Sequence, residues 1–197
     1  MAVRRASAED VPRIAAVLAD AFSTDAPMRW FLGGAPHSAR LLHGYFERIA
    51  PAVHMRSGEA WMSDEPLGAA LWLEPGHWPV PLRDELAIAP ILLRTFGRNP
   101  LRGVAGLRVL GRDPPAEQHW FLDFIGVEAS ARGRGTGAEL MRPRLERCDA
   151  AGIAAGLNAG SERSRDLYLR HGFEVTRRIE LPFGGPPLWR MWRDPTG

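Results

Sequence analysis

Arg132-Gly133-Arg134-Gly135-Thr136-Gly137 is the stretch of this sequence best suited to hold an anion. It follows a strand-like run, Trp120 to Val127, and precedes a helix-like run, Ala138 to Ala151. Glycines let successive backbone N–H groups converge, and the following helix adds the positive end of its dipole, so a phosphate fits there. A glycine-rich segment can also be a plain turn; the flanking strand and helix favour the binding site. Gly133, Gly135 and Ala138 also fit G-x-G-x-x-G/A, but that fingerprint opens a long series of βα units, and about 60 of the 197 residues remain. A P-loop needs Lys-Ser or Lys-Thr after its glycines, and this chain has no lysine.

Such a loop needs a sheet in front of it and a helix behind it. Val3 to Ala6 reads as a short strand, and Ser7-Ala8-Glu9-Asp10 has the character of a capping box, with Asp in place of Glu or Gln. Ile14, Val17, Leu18, Ala21 and Phe22 then form a helical stripe that Asp25-Ala26-Pro27 ends, with Pro12 in the first turn. Met28 to Leu32 is an apolar cluster, read as core, ahead of a turn at Gly33-Gly34. A second helix is expected from Ser38 to Arg48, then a hairpin of Glu59 to Met62 and Leu67 to Leu73 turning at Ser63 to Pro66. An insert around 76–116 holds two expected helices, Leu82 to Phe96 and Leu101 to Leu110, the first kinked or split at Pro90. Its apolar residues are too many for a solvated loop; it is expected to wall a pocket or form a dimer surface. After the glycine loop and its helix come a strand, Ile153 to Asn158, a short helix, Arg163 to Arg170, a strand entered at Gly172, and a last strand, Leu188 to Trp192.

With 45% hydrophobic and 24% charged residues, 197 residues can bury one core, and a single domain over 1–197 is expected. The formal charge is only +2, which argues against nucleic acid as partner. A single cysteine, Cys148, excludes an internal disulfide and a Cys cluster for zinc; it reads as a packed helix residue, and no metal is expected. No apolar run suits a signal peptide or a membrane span, so a cytoplasmic protein is expected.

Taken together, these residues make the chain resemble the GNAT superfamily of acyl-CoA-dependent N-acyltransferases. Arg132 to Gly137 is similar to that family's Q/R-x-x-G-x-G/A loop. Gly126-Val127-Glu128 before it, and Leu167-Tyr168-Leu169-Arg170-His171-Gly172-Phe173 after it, resemble the flanking elements at the expected distances. The resemblance implies a mixed α/β fold: a mostly antiparallel sheet of six to seven strands flanked by helices. It implies transfer of an acetyl group from acetyl-CoA to a primary amine, here expected to be on a small molecule. Contacts to the cofactor are implied at Ile125, Val127, Arg132, Gly133, Arg134, Gly135, Thr136, Gly137, Ser161 and Arg165. Ser161 stands where many relatives have Asn, a longer group.

The amine attacks the thioester carbonyl, so the site needs an oxyanion donor, an acid for the thiolate and a route for the amine's proton. The resemblance assigns the first to the Val127 N–H and the second to Tyr168, whose ordinary pKa near 10 suits a thiolate. No general base stands out. Asp123, four residues before Val127 and on the same strand face if alternation is strict, is one candidate; His119, Glu162 and a water chain are others. A non-catalytic acyl-CoA-binding module is the alternative from another class, and a homodimer is a possible assembly.

Overall fold

The structure is a computed structural model that describes residues 2–33, 38–65, 67–97 and 99–196. Gly34 and Pro66, both expected in turns, lie outside those residues. Seven strands form one sheet in the order β1-β2-β3-β4-β5-β7-β6. They are β1 (Val3–Arg5), β2 (Gly58–Ser63), β3 (Gly68–Leu73), β4 (His119–Val127), β5 (Ala154–Ala159), β6 (Glu174–Glu180) and β7 (Pro187–Arg193). Every neighbouring pair is antiparallel except β4 with β5. The mixed, mostly antiparallel sheet expected from the sequence is therefore present.

Strand alternation sorts the core into two layers. Ala69, Leu71 and Leu73 of β3 pack on one face with helices α1 (Val11–Ser23) and α3 (Ser38–Ile49), through Ile14, Leu18, Leu42 and Phe46. Ala70 and Trp72 face the other way, onto Leu140, Met141, Leu145 and Cys148 of α6 (Thr136–Ala151). Cys148 is buried as expected, and burial pushes its thiol up to about 11, so it stays a protonated packing group.

The start of α1 follows its sequence signals: Ser7 and Asp10 form the capping box, and Asp10 also takes a bidentate pair from Arg4 at 2.8 Å. Between α1 and α3 the cluster at Met28 folds into a short helix, α2 (Ala26–Phe31), capped by Asp25 Oδ1, which accepts from Met28 N–H at 2.9 Å. Propensity gave no hint of it, since six residues carry too little periodicity. The insert forms α4 (Leu82–Phe96) and α5 (Pro100–Leu110). Pro90 does not split α4: it lies on the exposed side, and the helix continues on its remaining bonds and packing. Ile88 packs into the α1/α3 layer, and Val109 and Leu110 pack with Trp30, Ile179 and Leu188, while Leu82, Leu86, Leu93 and Leu101 are exposed. No helix among the described residues is long and apolar enough to cross a membrane.

The C-terminal strand is tied to α6 by charge. Arg193 donates to both oxygens of Asp149 at 2.7 and 2.8 Å and to His171 O at 3.1 Å, holding the turn that follows helix α7 (Glu162–Leu169). The Arg193 bonds first, and the Thr196 N–H after them, hold the Asp149 carboxyl down at about 2, against an ordinary 3.8. The charged form is favoured in the fold, so this stabilisation is full above pH 4 and fades as pH falls toward 2. Asp149→Asn is expected to lower unfolding free energy by about 1–2 kcal/mol near pH 7 and by much less near pH 2.5, measured by urea denaturation. An equal loss at both pH values would contradict the assignment.

Candidate active site

Strands β4 and β5 run side by side only from His119 with Ala154 to Leu122 with Leu157. Beyond that pair they part, while β4 stays on β3 as far as Val127 and β5 stays on β7 as far as Ala159. A gap therefore opens in the middle of the sheet. Glu128 N–H donates to Leu67 O at 3.0 Å, toward β3. Backbone groups alternate sides along a strand, so Ile125 and Val127 direct their N–H and C=O groups into the gap. Their side chains pack with the α6 layer.

The glycine loop lies at the end of β4. Gly133 and Gly135 hold φ of +81° and +84°, and an added Cβ at either would meet nothing within 4 Å, so glycine is required there by backbone conformation alone. Gly135 caps α6 without any side-chain bond, and the first bond into the helix is Glu139 N–H to Gly135 O at 3.1 Å. The amides of the first turn, through Thr136 and Gly137, thus lack intrahelical acceptors, the arrangement by which helix starts take anions in general. Arg132 and Arg134 are exposed beside them. Arg132 stands 3.9 Å from Asp20.

Tyr168 on α7 is buried in the α6 layer, its ring 6.0 Å from that of Phe173. Burial first, and the charge of Asp25 second, hold its phenol well above the ordinary value. Ser161 spends its hydroxyl on capping α7, accepting from Ser164 N–H at 3.1 Å. Arg165 is turned to Asp166 at 2.8 Å and to Glu162 at 4.0 Å, with its guanidinium over Trp189. Its charge is largely answered within its own helix.

Asp123 does not share a face with Val127. Leu71 pairs with Phe124 and Trp72 with Leu122, so Asp123 is the extra residue of a bulge. The bulge shifts parity, and Asp123 turns to the α3 side. There the ring of His54 contributes its Nε2 to Asp123 Oδ2 at 2.8 Å. His54 is fully buried, at the end of a π-helical turn, Ala50–His54, that extends α3. Its other nitrogen lies 3.4 Å from Ile49 O. Burial first, and the charge of Asp123 second, raise the Tyr45 phenol.

The other base candidates are elsewhere. His119 is on the stretch of β4 that still pairs with β5, its Nδ1 donating to Glu117 O at 2.8 Å, and Val127 lies at the other end of the strand, roughly 26 Å away. Glu162 is exposed on α7.

Two relatives and one solved structure place this arrangement among known proteins. An uncharacterised N-acetyltransferase of Schizosaccharomyces pombe is 29% identical over 212 residues, covering 99% of this chain and 84% of its own length. The N-alpha-acetyltransferase RimI of Mycobacterium tuberculosis is 31% identical over 96 residues, 48% of this chain and 60% of that protein. A Corynebacterium glutamicum structure described as histone acetyltransferase HPA2 and related acetyltransferase superposes with a TM-score of 0.77 at 27% identity, covering 99% of this chain and 96% of that one. Residues 54–173 match the family described as Acetyltransferase (GNAT) family, a span that takes in β2 to α7 and with them the gap, the glycine loop and Tyr168. The chain belongs to the GNAT family and is an acetyltransferase.

Proposed function

We propose that this protein transfers an acetyl group from acetyl-CoA to a primary amine of a small molecule, by direct attack of the amine on the thioester. The observation that carries this is the alignment of an open β4 edge with an uncapped, glycine-led helix start at its end. That pairing suits a ligand with an amide-bearing arm and a pyrophosphate. Acetyl-CoA supplies the activated acyl carbonyl and a thiolate leaving group.

The chain's own residues do the rest. The Val127 N–H faces the gap and is the donor available to the acyl oxygen as charge gathers there. Tyr168 keeps its proton at neutral pH and delivers it from Oη to the departing sulfur. Asp123, oriented by His54, takes the proton that the amine loses as the N–C bond forms and the C–S bond breaks, through water where the path requires it. A peptide α-amine is the second acceptor class, favoured by the likeness to RimI.

Calorimetric titration of acetyl-CoA, with NAD as control, tests the donor. CoA binding without NAD binding is expected, and failure of CoA to bind would remove this function. Acetyl transfer to small amines in preference to short peptides then decides the acceptor class. Asp123→Asn is expected to lower kcat by about 10²-fold with little change in CoA affinity. His54→Gln should lose less, because it loosens the carboxylate without removing it. If Asp123→Asn retains full kcat, the base is another group.

A further inference from the structure

Among the described residues, four carboxylates with little exposure have basic partners, Asp123 being held by His54 and the other three by arginines. Asp10 is paired with Arg4, Glu59 with Arg144, and Asp149 with Arg193. Asp25 stands apart: no arginine or histidine pairs with it among the described residues. Its Oδ1 caps α2 through Met28 N–H at 2.9 Å, and its Oδ2 accepts no hydrogen bond among those residues. Oδ2 lies against Gly160, 3.0 Å from where a Cβ would stand.

Its position gives this carboxylate a purpose. The end of α1 lies on β4 at Gly126, where an added Cβ would meet Ala21 at 2.8 Å. Asp25 follows three residues after Phe22, whose O accepts its N–H at 3.2 Å, and reaches Gly160 just past the end of β5. The junction of α1 and α2 thus spans the gap between β4 and β5 on one face of the sheet. Tyr168 approaches from the other face, near enough for the Asp25 charge to act on its phenol. A half-buried carboxylate beside the gap, with no cationic partner among the described residues, is suited to a cation from solution, since buried charge is retained where a counter-charge meets it. In keeping with this, burial pushes the Asp25 carboxyl up to about 6 in the absence of such a partner.

We infer that Asp25 is the specificity-determining residue that receives the acceptor as its ammonium ion on entry, selecting primary alkylammonium ions over neutral molecules of the same shape. This rests on the acetyl-transfer reading above. The ion releases its extra proton to solvent water before the neutral amine attacks the thioester, and the proton lost during attack goes to Asp123 as above. Asp25→Asn separates recognition from structure, because asparagine caps a helix as well as aspartate and lacks only the charge.

The test is calorimetric titration of CoA, of 2-phenylethylamine and of 2-phenylethanol into the wild-type protein and Asp25→Asn, the last two with CoA in excess. The wild type is expected to bind the amine and to prefer it over the alcohol. Asp25→Asn is expected to bind the amine at least tenfold more weakly, with alcohol and CoA affinities within twofold of wild type. Equal amine affinity in the two proteins, a wild type that prefers the alcohol, or one that binds neither would overturn the assignment. CoA binding reports separately: if CoA fails to bind while the amine preference depends on Asp25, acetyl transfer falls and the ammonium site stands.

Discussion

Tyr168→Phe is expected to bind CoA as the wild type does and to lose about 10²–10⁴-fold in kcat. The separation of the two effects follows from burial. Phenylalanine preserves the ring that packs beside Phe173 and Leu157, so the helix and the gap keep their shape. What disappears is one proton on one oxygen, equivalent to about 3–5 kcal/mol of barrier. Steady-state kinetics with one fixed amine, beside a CoA titration, would measure both quantities. The phenol's raised pKa also sets a pH expectation. Its protonated form persists above the ordinary value near 10, so kcat should show no alkaline fall from tyrosine ionisation up to that pH. An unchanged kcat in Tyr168→Phe would show that the sulfur takes its proton elsewhere.

Gly135→Val should cut CoA affinity by at least tenfold, an effect of backbone shape. At φ of +84° a β-branched residue costs about 1–2 kcal/mol, and the chain relieves that strain by turning the peptide units that aim amides at the anion. Crowding is not the cause, because a Cβ at Gly135 meets nothing within 4 Å. Gly152 provides the control. It holds φ of +64° at the far end of the same helix, also with nothing within 4 Å of an added Cβ. Gly152→Val should therefore lower thermal stability comparably and leave CoA affinity intact. Equal losses of affinity in the two variants would point to global damage instead of a phosphate cradle.

Much of this architecture was legible in the sequence because it rests on local signals. The apolar run from Leu67 to Leu73, the capping box at Ser7, and glycines leading a helix at Thr136 each act within a few residues. Elements built that way fell close to their expected bounds. The bulge at Asp123 could not be read, because it depends on how Leu71 and Trp72 pair with another strand. Strict alternation therefore put Asp123 beside Val127, while the folded chain turns it to His54, 69 residues away in sequence. His54 itself gave no signal; a lone histidine after Ala50-Pro51 carries no pattern until α3 delivers it under the sheet. Asp25 was visible only as the end of α1, and its solitary charge emerges once Gly160 and Tyr168 close around it.

The gap between β4 and β5 has a further consequence for the unliganded chain. A strand without a neighbour is normally found at the rim of a sheet, where charges, proline or a covering helix discourage foreign strands from adding to it. Here bare strand edges lie at the sheet's centre, with the run from Phe124 to Val127 apolar or glycine throughout. The flanking helices are what shield it: α1 with Asp25 on one face, α6 and α7 on the other. The proposed acetyl-CoA, lying in the gap, would do for this sheet what an eighth strand does, and without it the protein has an adhesive seam that only side chains guard.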